Sequence, residues 1–253
     1  MATTPLPAPA PEGQLQAKIS PWGRIIGVFF SPKATFEDIV RVPTWVLPTV
    51  VILVLAVVGV VALNQHFDWR GYIAQQIEKS PKAASLSADQ KQQQIDISAK
   101  YSPTFAYVFG VPLPLVGLLV IALVLMGAYN LMAGVGADFK TSFAIVTHAF
   151  VPASIVGTFL FLTVLFLKPI GSFDLENPVA TNLAIFLPDD AAKWLVALCK
   201  NIDLIELWKL LLLAIGFAAV NPRKLKGAKS LTIVLSMFLI YVVLRTGIAF
   251  IFS

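Results

Sequence analysis

The chain has 253 residues, 57% of them hydrophobic and 13% charged, with a formal net charge of +5. A soluble globular domain carries about a quarter of its residues as Asp, Glu, Lys and Arg, so this composition, with a mean hydropathy of +0.80, excludes that class. Much of the basic excess lies beside apolar segments, where it sets topology rather than binding nucleic acid, and the single cysteine, Cys199, rules out an internal disulfide and a cysteine-rich metal site.

Residues 1–18 read as a disordered tail, because 2–14 are rich in Pro and Ala and lack the basic start and short apolar core of a cleavable signal. Residues 19–253 read as one membrane domain. Within 19–43, Ser20-Pro21 and Ser31-Pro32 each set an N-cap serine before a proline suited to the first helical turn. Trp22, Ile25, Ile26, Phe29 and Phe30 would share one face of the first helix. Phe36, Ile39 and Val40 would face away from Lys33, Glu37, Asp38 and Arg41 on the second. Two short amphipathic helices beside a span predict a pair lying in the headgroup plane, with Trp22, Phe29, Phe30, Phe36 and Trp45 as interfacial anchors. Packing against loops of the same chain is the other reading.

Five apolar runs follow, at 44–63, 105–132, 143–167, 204–220 and 231–252. Crossing a hydrocarbon core of about 30 Å takes roughly 17–25 helical residues. A β-barrel strand would alternate apolar and polar residues over about ten positions, whereas Val50 to Val58 are apolar throughout. The fold class is therefore all-α, a polytopic protein of five transmembrane helices. Between spans one and two, 64–103 predicts a helical hairpin outside the membrane. Trp69, Tyr72, Ile73 and Ile77 lie on one face of its first helix, and Ser87 with Gln90 forms a capping box for its second. Pro112 and Pro114 at the start of span two predict a kink or a non-helical beginning. After span three, residues 190–201 predict an amphipathic helix with Trp194, Leu195 and Leu198 together.

Spans four and five are joined by 221–230, which holds four basic residues and no acidic one. Short loops rich in Lys and Arg stay in the cytoplasm, which places the N-terminus inside and the C-terminus outside the cell membrane. A charge within a span raises the insertion free energy by about 2.5–3.5 kcal/mol and needs a partner. Glu206 on span four and Arg245 on span five both lie roughly 21 Å from the inner boundary at about 1.5 Å per residue. They are predicted to pair, with Lys209 as competitor or third partner. Such a cluster is either structural or a polar cavity open to the outside. Asn130 and His148, at similar depth in spans two and three, are predicted to make interhelical hydrogen bonds. His66 lies on the opposite side, so no histidine cluster forms. Gly134, Gly136 and Asp138 resemble a phosphate-cradling loop only weakly, since they follow a membrane helix and not a strand. Asp189 and Asp190 point apart on a helix and read as a cap.

The segment from Ile202 to Phe217 resembles the fourth span of bacterial YIP1-domain membrane proteins, in which an acid, a tryptophan and a glycine recur at similar spacing. The stretches from Ser20 through Pro32 to Trp45, and from His148 to Pro152, are similar to the same family. That resemblance implies a five-span protein of the bacterial inner membrane with a cytoplasmic N-terminus. Eukaryotic relatives act in vesicle traffic and bind prenylated Rab-type GTPases; no residue here is assigned that role. No Ser-His-Asp order, HExxH helix or paired-carboxylate motif is present, so no enzyme activity, metal or cofactor is expected. The leading reading is a scaffold or adaptor in membrane organisation or trafficking-like processes, with membrane lipids and a protein partner as its contacts. A transporter or permease subunit built around Glu206, Lys209 and Arg245 is the alternative, and a lipid-modifying enzyme using Asp189 and Asp190 is the third.

Overall fold

Backbone polar groups in hydrocarbon have no water to bond, so a chain this apolar must satisfy them within its own segments. A computed structural model of the protein describes residues 17–80, 83–169, 173–175, 177–188 and 190–251. Among these residues the regular elements are helical, apart from one isolated antiparallel bridge between Asn182 and Asp203. The expected tail up to residue 16, Asp189 and Phe252 lie outside the described residues.

The helices in chain order are α1 (Pro21–Phe30), α2 (Pro32–Arg41), α3 (Val46–His66), α4 (Trp69–Lys79), α5 (Ala88–Gly110), α6 (Pro112–Ala133), α7 (Phe139–Leu167), α8 (Lys193–Asn201), α9 (Leu204–Ala218) and α10 (Gly227–Ile251). Four helical runs are long and apolar enough to cross a membrane: α3, α7, α10 and a continuous run of 46 residues, Ala88–Ala133, that joins α5 to α6. The protein is membrane-embedded. α9 has 15 residues, fewer than the roughly 17–25 that a full crossing takes.

The run through α5 and α6 corrects the expected separation of hairpin and span. Val111, between the two, keeps right-handed helical geometry (φ −88°, ψ −51°). Pro112 and Pro114 fall in the first turn of α6, at the point where α5 gives way to α6. The hairpin itself forms as its caps dictate. Ser87 and Gln90 exchange both capping-box bonds, the Gln90 amide donating to the Ser87 hydroxyl at 3.2 Å and the Ser87 amide donating to Gln90 Oε1 at 2.8 Å. α4 lies against α5, bridged by Lys91–Glu78 at 3.0 Å and Arg70–Asp96 at 2.6 Å.

The core is built around α7, which packs on α3, α6 and α9 as well as on α1 and α2. Lipid tails are as apolar as leucine, so helices here associate through close packing and hydrogen bonds rather than by escape from water. Small residues supply the packing: Ala122, Ala144, Ala149 and Ala214 are buried between helices. At Gly216 the helices approach closely, because a Cβ there would lie 2.5 Å from the Ile145 side chain and 3.0 Å from the Phe36 ring.

Hydrogen bonds tie three helices at one end of the bundle. The Tyr129 hydroxyl of α6 donates to the Ser230 carbonyl of α10 at 2.8 Å, and the Ser230 hydroxyl donates to the Ala214 carbonyl of α9 at 2.6 Å. The Tyr129 ring stacks on Phe217 with centroids 4.3 Å apart. Nearby, Gly134 ends α6 in the left-handed conformation (φ 59°), which glycine adopts at no steric cost.

Candidate functional site

The N-terminal hairpin, expected to lie in the headgroup plane or to pack on loops of the same chain, is wedged against helices of the bundle. α1 packs on α7, and α2 on α7 and α9. Phe36, expected to be an interfacial anchor, is 0% exposed and meets α9 at Gly216. The reason is spatial: the missing side chain of Gly216 leaves a hollow that an aromatic ring fills. Ile25, Val28 and Ile39 are buried with it. The single apolar face expected on α1 is in fact two. One faces the core, and the other, formed by Trp22, Ile26 and Phe30 at successive turns, is exposed, with Phe30 at 81%. Phe29 lies between them with its ring 5.7 Å from that of Trp208, and Trp45 sits at the edge against Phe143 at 5.5 Å.

An ion pair that sequence reasoning missed locks this wedge. The Arg24 and Asp38 side chains are 2% and 5% exposed. Arg24 Nε and Nη2 donate to Asp38 Oδ2 at 2.9 and 2.8 Å, while Nη1 donates to the Val42 carbonyl at 2.9 Å and the Thr44 hydroxyl at 2.8 Å. The amides of Lys18 and Ile19 donate to the Asp38 carboxylate at 2.9 and 3.3 Å, and Arg41 Nη2 donates to Asp38 Oδ1. Burial pushes the Asp38 pKa up, but the bonds from the Lys18 amide and Arg24, with the Arg24 charge, more than offset that and hold it below the ordinary 3.8. The signal was present: Arg24 is the only charge in an otherwise apolar ten-residue helix, and a buried charge demands a partner.

The second cluster lies around Glu206. The expected Glu206–Arg245 pair is not formed. Lys209 takes the carboxylate at 2.6 Å, because three residues along one helix bring the two side chains together without help from a neighbour. Arg245 sits nearer the end of the bundle, where its Nη1 donates to Asn201 Oδ1 at 3.0 Å and to the Tyr241 hydroxyl at 3.3 Å. Glu206 and Lys209 line a cavity of about 390 Å³ between α6, α7, α9 and α10, whose other walls are Val, Leu, Ile, Phe and Met side chains and Tyr241. Lys209 Nζ also lies 4.4 Å from the centre of the Phe150 ring, a cation–π contact.

The other two expected polar contacts are local. His148 is buried in α7 and its Nδ1 bonds the Ala144 carbonyl of the same helix at 2.8 Å, rather than a neighbouring one. Asn130 clamps the loop after its own helix, its Nδ2 donating to the Ala137 carbonyl and its Oδ1 accepting from the Ala137 amide, both at 2.8 Å. The Gly134 amide donates to the Asn130 carbonyl at 3.0 Å and the Ala137 amide to Asn130 Oδ1 at 2.8 Å, so neither of these two donors is open to a phosphate. Among the described residues no three His, Cys, Asp or Glu side chains converge to hold a metal ion.

No curated protein and no solved structure matches the chain. The Yip1 domain matches residues 26–246, from the first helix of the wedge through the helix that carries Arg245. A match across that length, on an all-helical membrane bundle, makes this chain a member of the Yip1 domain family.

Proposed function

We propose that the protein is a non-enzymatic scaffold or adaptor of the cell membrane, acting in membrane organisation through lipid and protein contacts made by its N-terminal wedge. The observation that carries this reading is the exposed ridge of Trp22, Ile26 and Phe30, held at a fixed angle to the bundle by the buried Arg24–Asp38 pair. A mobile amphipathic helix binds a membrane surface; a clamped one presents the same side chains in a single geometry, as recognition of a partner requires. In this reading α9 is the fifth crossing, short because α2 packs along it, with the N-terminus cytoplasmic and the C-terminus outside.

A transporter or permease subunit has the Glu206–Lys209 pair in its favour. Against it, the cavity beside that pair is walled by apolar side chains, and a hydrophilic solute or ion crossing it would leave water without new partners. Crosslinking and pulldown mass spectrometry on tagged protein from native membranes tests the adaptor reading. The expected result is a reproducible partner set that is lost from a variant with Trp22, Ile26 and Phe30 changed to serine while protein levels hold. Partner recovery unaffected by those changes, or solute flux in proteoliposomes, would overturn it.

A further inference from the structure

The cavity between α6 and α10 has the anatomy of an amphiphile site. Small-molecule sites are typically about 300–1,000 Å³, mostly apolar, with a few placed polar groups; this one is about 390 Å³. Its polar residues gather at one end, where Glu206 and Lys209 start α9 and Tyr241 lies toward the end of α10. Its apolar floor, at Leu213 and Val234, lies about 10 Å further along the helices at 1.5 Å per residue. The mouth is set by exposure. Val120 and Val124 of α6 and Tyr241 of α10 are lining residues with about half of their surface free. The opening therefore lies between α6 and α10, on the lipid-facing side of the bundle, while the Tyr129–Ser230 bonds hold the same two helices together at the far end.

Charge selects the occupant's head. Lys209 neutralises Glu206 at 2.6 Å, while the described partners of Arg245, Asn201 and Tyr241, are both neutral. Arg245 lies one turn beyond the lining residue Tyr241 and donates to its hydroxyl at 3.3 Å, which sets beside the polar end of the cavity a guanidinium whose fork suits a phosphate. We infer that this cavity binds one phospholipid with a net negative headgroup, its acyl chain entering between α6 and α10 and its phosphate held by Arg245 with Lys209. Lipid binding here is independent of contacts made by the α1–α2 ridge, and either can fail without the other.

The test uses the full-length protein in phosphatidylcholine nanodiscs containing a small fraction of phosphatidylglycerol with a photoactivatable group midway along one acyl chain. Adducts are mapped by mass spectrometry, and a phosphatidylcholine probe of the same chain serves as comparison. The expected result is labelling concentrated on peptides with Val124, Leu213, Val234 or Met237, with a preference for phosphatidylglycerol of up to about fivefold, as one partly exposed ion pair supplies. Val124→Trp, which blocks the mouth without displacing packed atoms, should abolish labelling. Arg245→Gln, at an exposed position, should keep the cavity adducts but remove the headgroup preference. Glu206→Gln, which frees Lys209, should raise that preference. Equal labelling of all lipid-facing helices, equal labelling by the two probes, or loss of adducts on adding inorganic phosphate would overturn the inference.

Discussion

Removing Asp38 leaves a guanidinium buried and unpaired at the root of the wedge. Arg24 has a 2% exposed side chain and would keep only the Val42 carbonyl and the Thr44 hydroxyl as stated partners beside the Asp38 carbonyl. Breaking a buried pair by deleting one partner typically costs about 3–5 kcal/mol, because the remaining charge cannot return to water. Asp38→Ala should therefore shift the folding equilibrium by on the order of a thousandfold, at about 4 kcal/mol. The internal control is Arg70–Asp96, whose side chains are 58% and 52% exposed; exposed pairs contribute about 0–1 kcal/mol, so Asp96→Ala should change little. The double change Arg24→Met with Asp38→Leu should recover part of the loss, since a well-packed apolar pair can replace a buried ionic one. Recovery stays incomplete because the amides of Lys18 and Ile19 lose their acceptor. The assay is unfolding of the detergent-solubilised protein by graded denaturing detergent, followed by tryptophan fluorescence. An Asp38→Ala protein within about 1 kcal/mol of wild type, indistinguishable from Asp96→Ala, would refute the assignment of the ion pair as the clamp.

The same carboxylate sets an acid limit. Its pKa is lowered by folding, so its contribution is fully present above the ordinary 3.8 and is lost as pH falls through the lower folded value; unfolding midpoints measured against pH should fall more steeply below that point in wild type than in Asp38→Asn. Gly216→Ala should lose about 1–3 kcal/mol by overpacking against Ile145 and Phe36. Gly117→Ala, where a Cβ meets nothing within 4 Å, should leave the thermal midpoint unchanged or slightly raised. Asn130→Leu strips both partners from the Ala137 backbone and should cost about 1–3 kcal/mol, with faster amide exchange at Ala137 as the local readout.

Four membrane-capable helices were legible because side chains facing lipid and side chains facing protein are both apolar, so hydrophobicity runs unbroken from Val50 to Val58 whatever each face touches. For the same reason the sequence could not say which faces meet: Phe30 of α1 and Phe36 of α2 look alike, each in a ten-residue helix, and only the hollow at Gly216 sends one inward. Local rules held where a side chain bonds its own neighbourhood, as at the Ser87 capping box. The depth argument for Glu206 and Arg245 failed because equal depth ignores azimuth and reach, and Lys209 was one turn away. The prolines at 112 and 114 marked a real boundary, since α5 ends at Gly110 and α6 begins at Pro112, where a missing amide costs the new helix no bond.

The unbroken run from α5 into α6 has a mechanical meaning. Its polar part, from Ala88 to about Pro103, extends roughly 24 Å at 1.5 Å per residue beyond the apolar stretch. Asn64 Nδ2 of α3 donates to the Pro103 carbonyl at 3.1 Å, fastening the base of this rod to the neighbouring helix. A rod so fixed acts as a spacer: anything held at its tip, near Glu78 and Lys91, stands at a set distance from the bilayer. Pro103 inside α5 and Pro112 at the start of α6 each lack an amide donor, so a sideways force applied there is taken up as bending at these two points before it tilts α6.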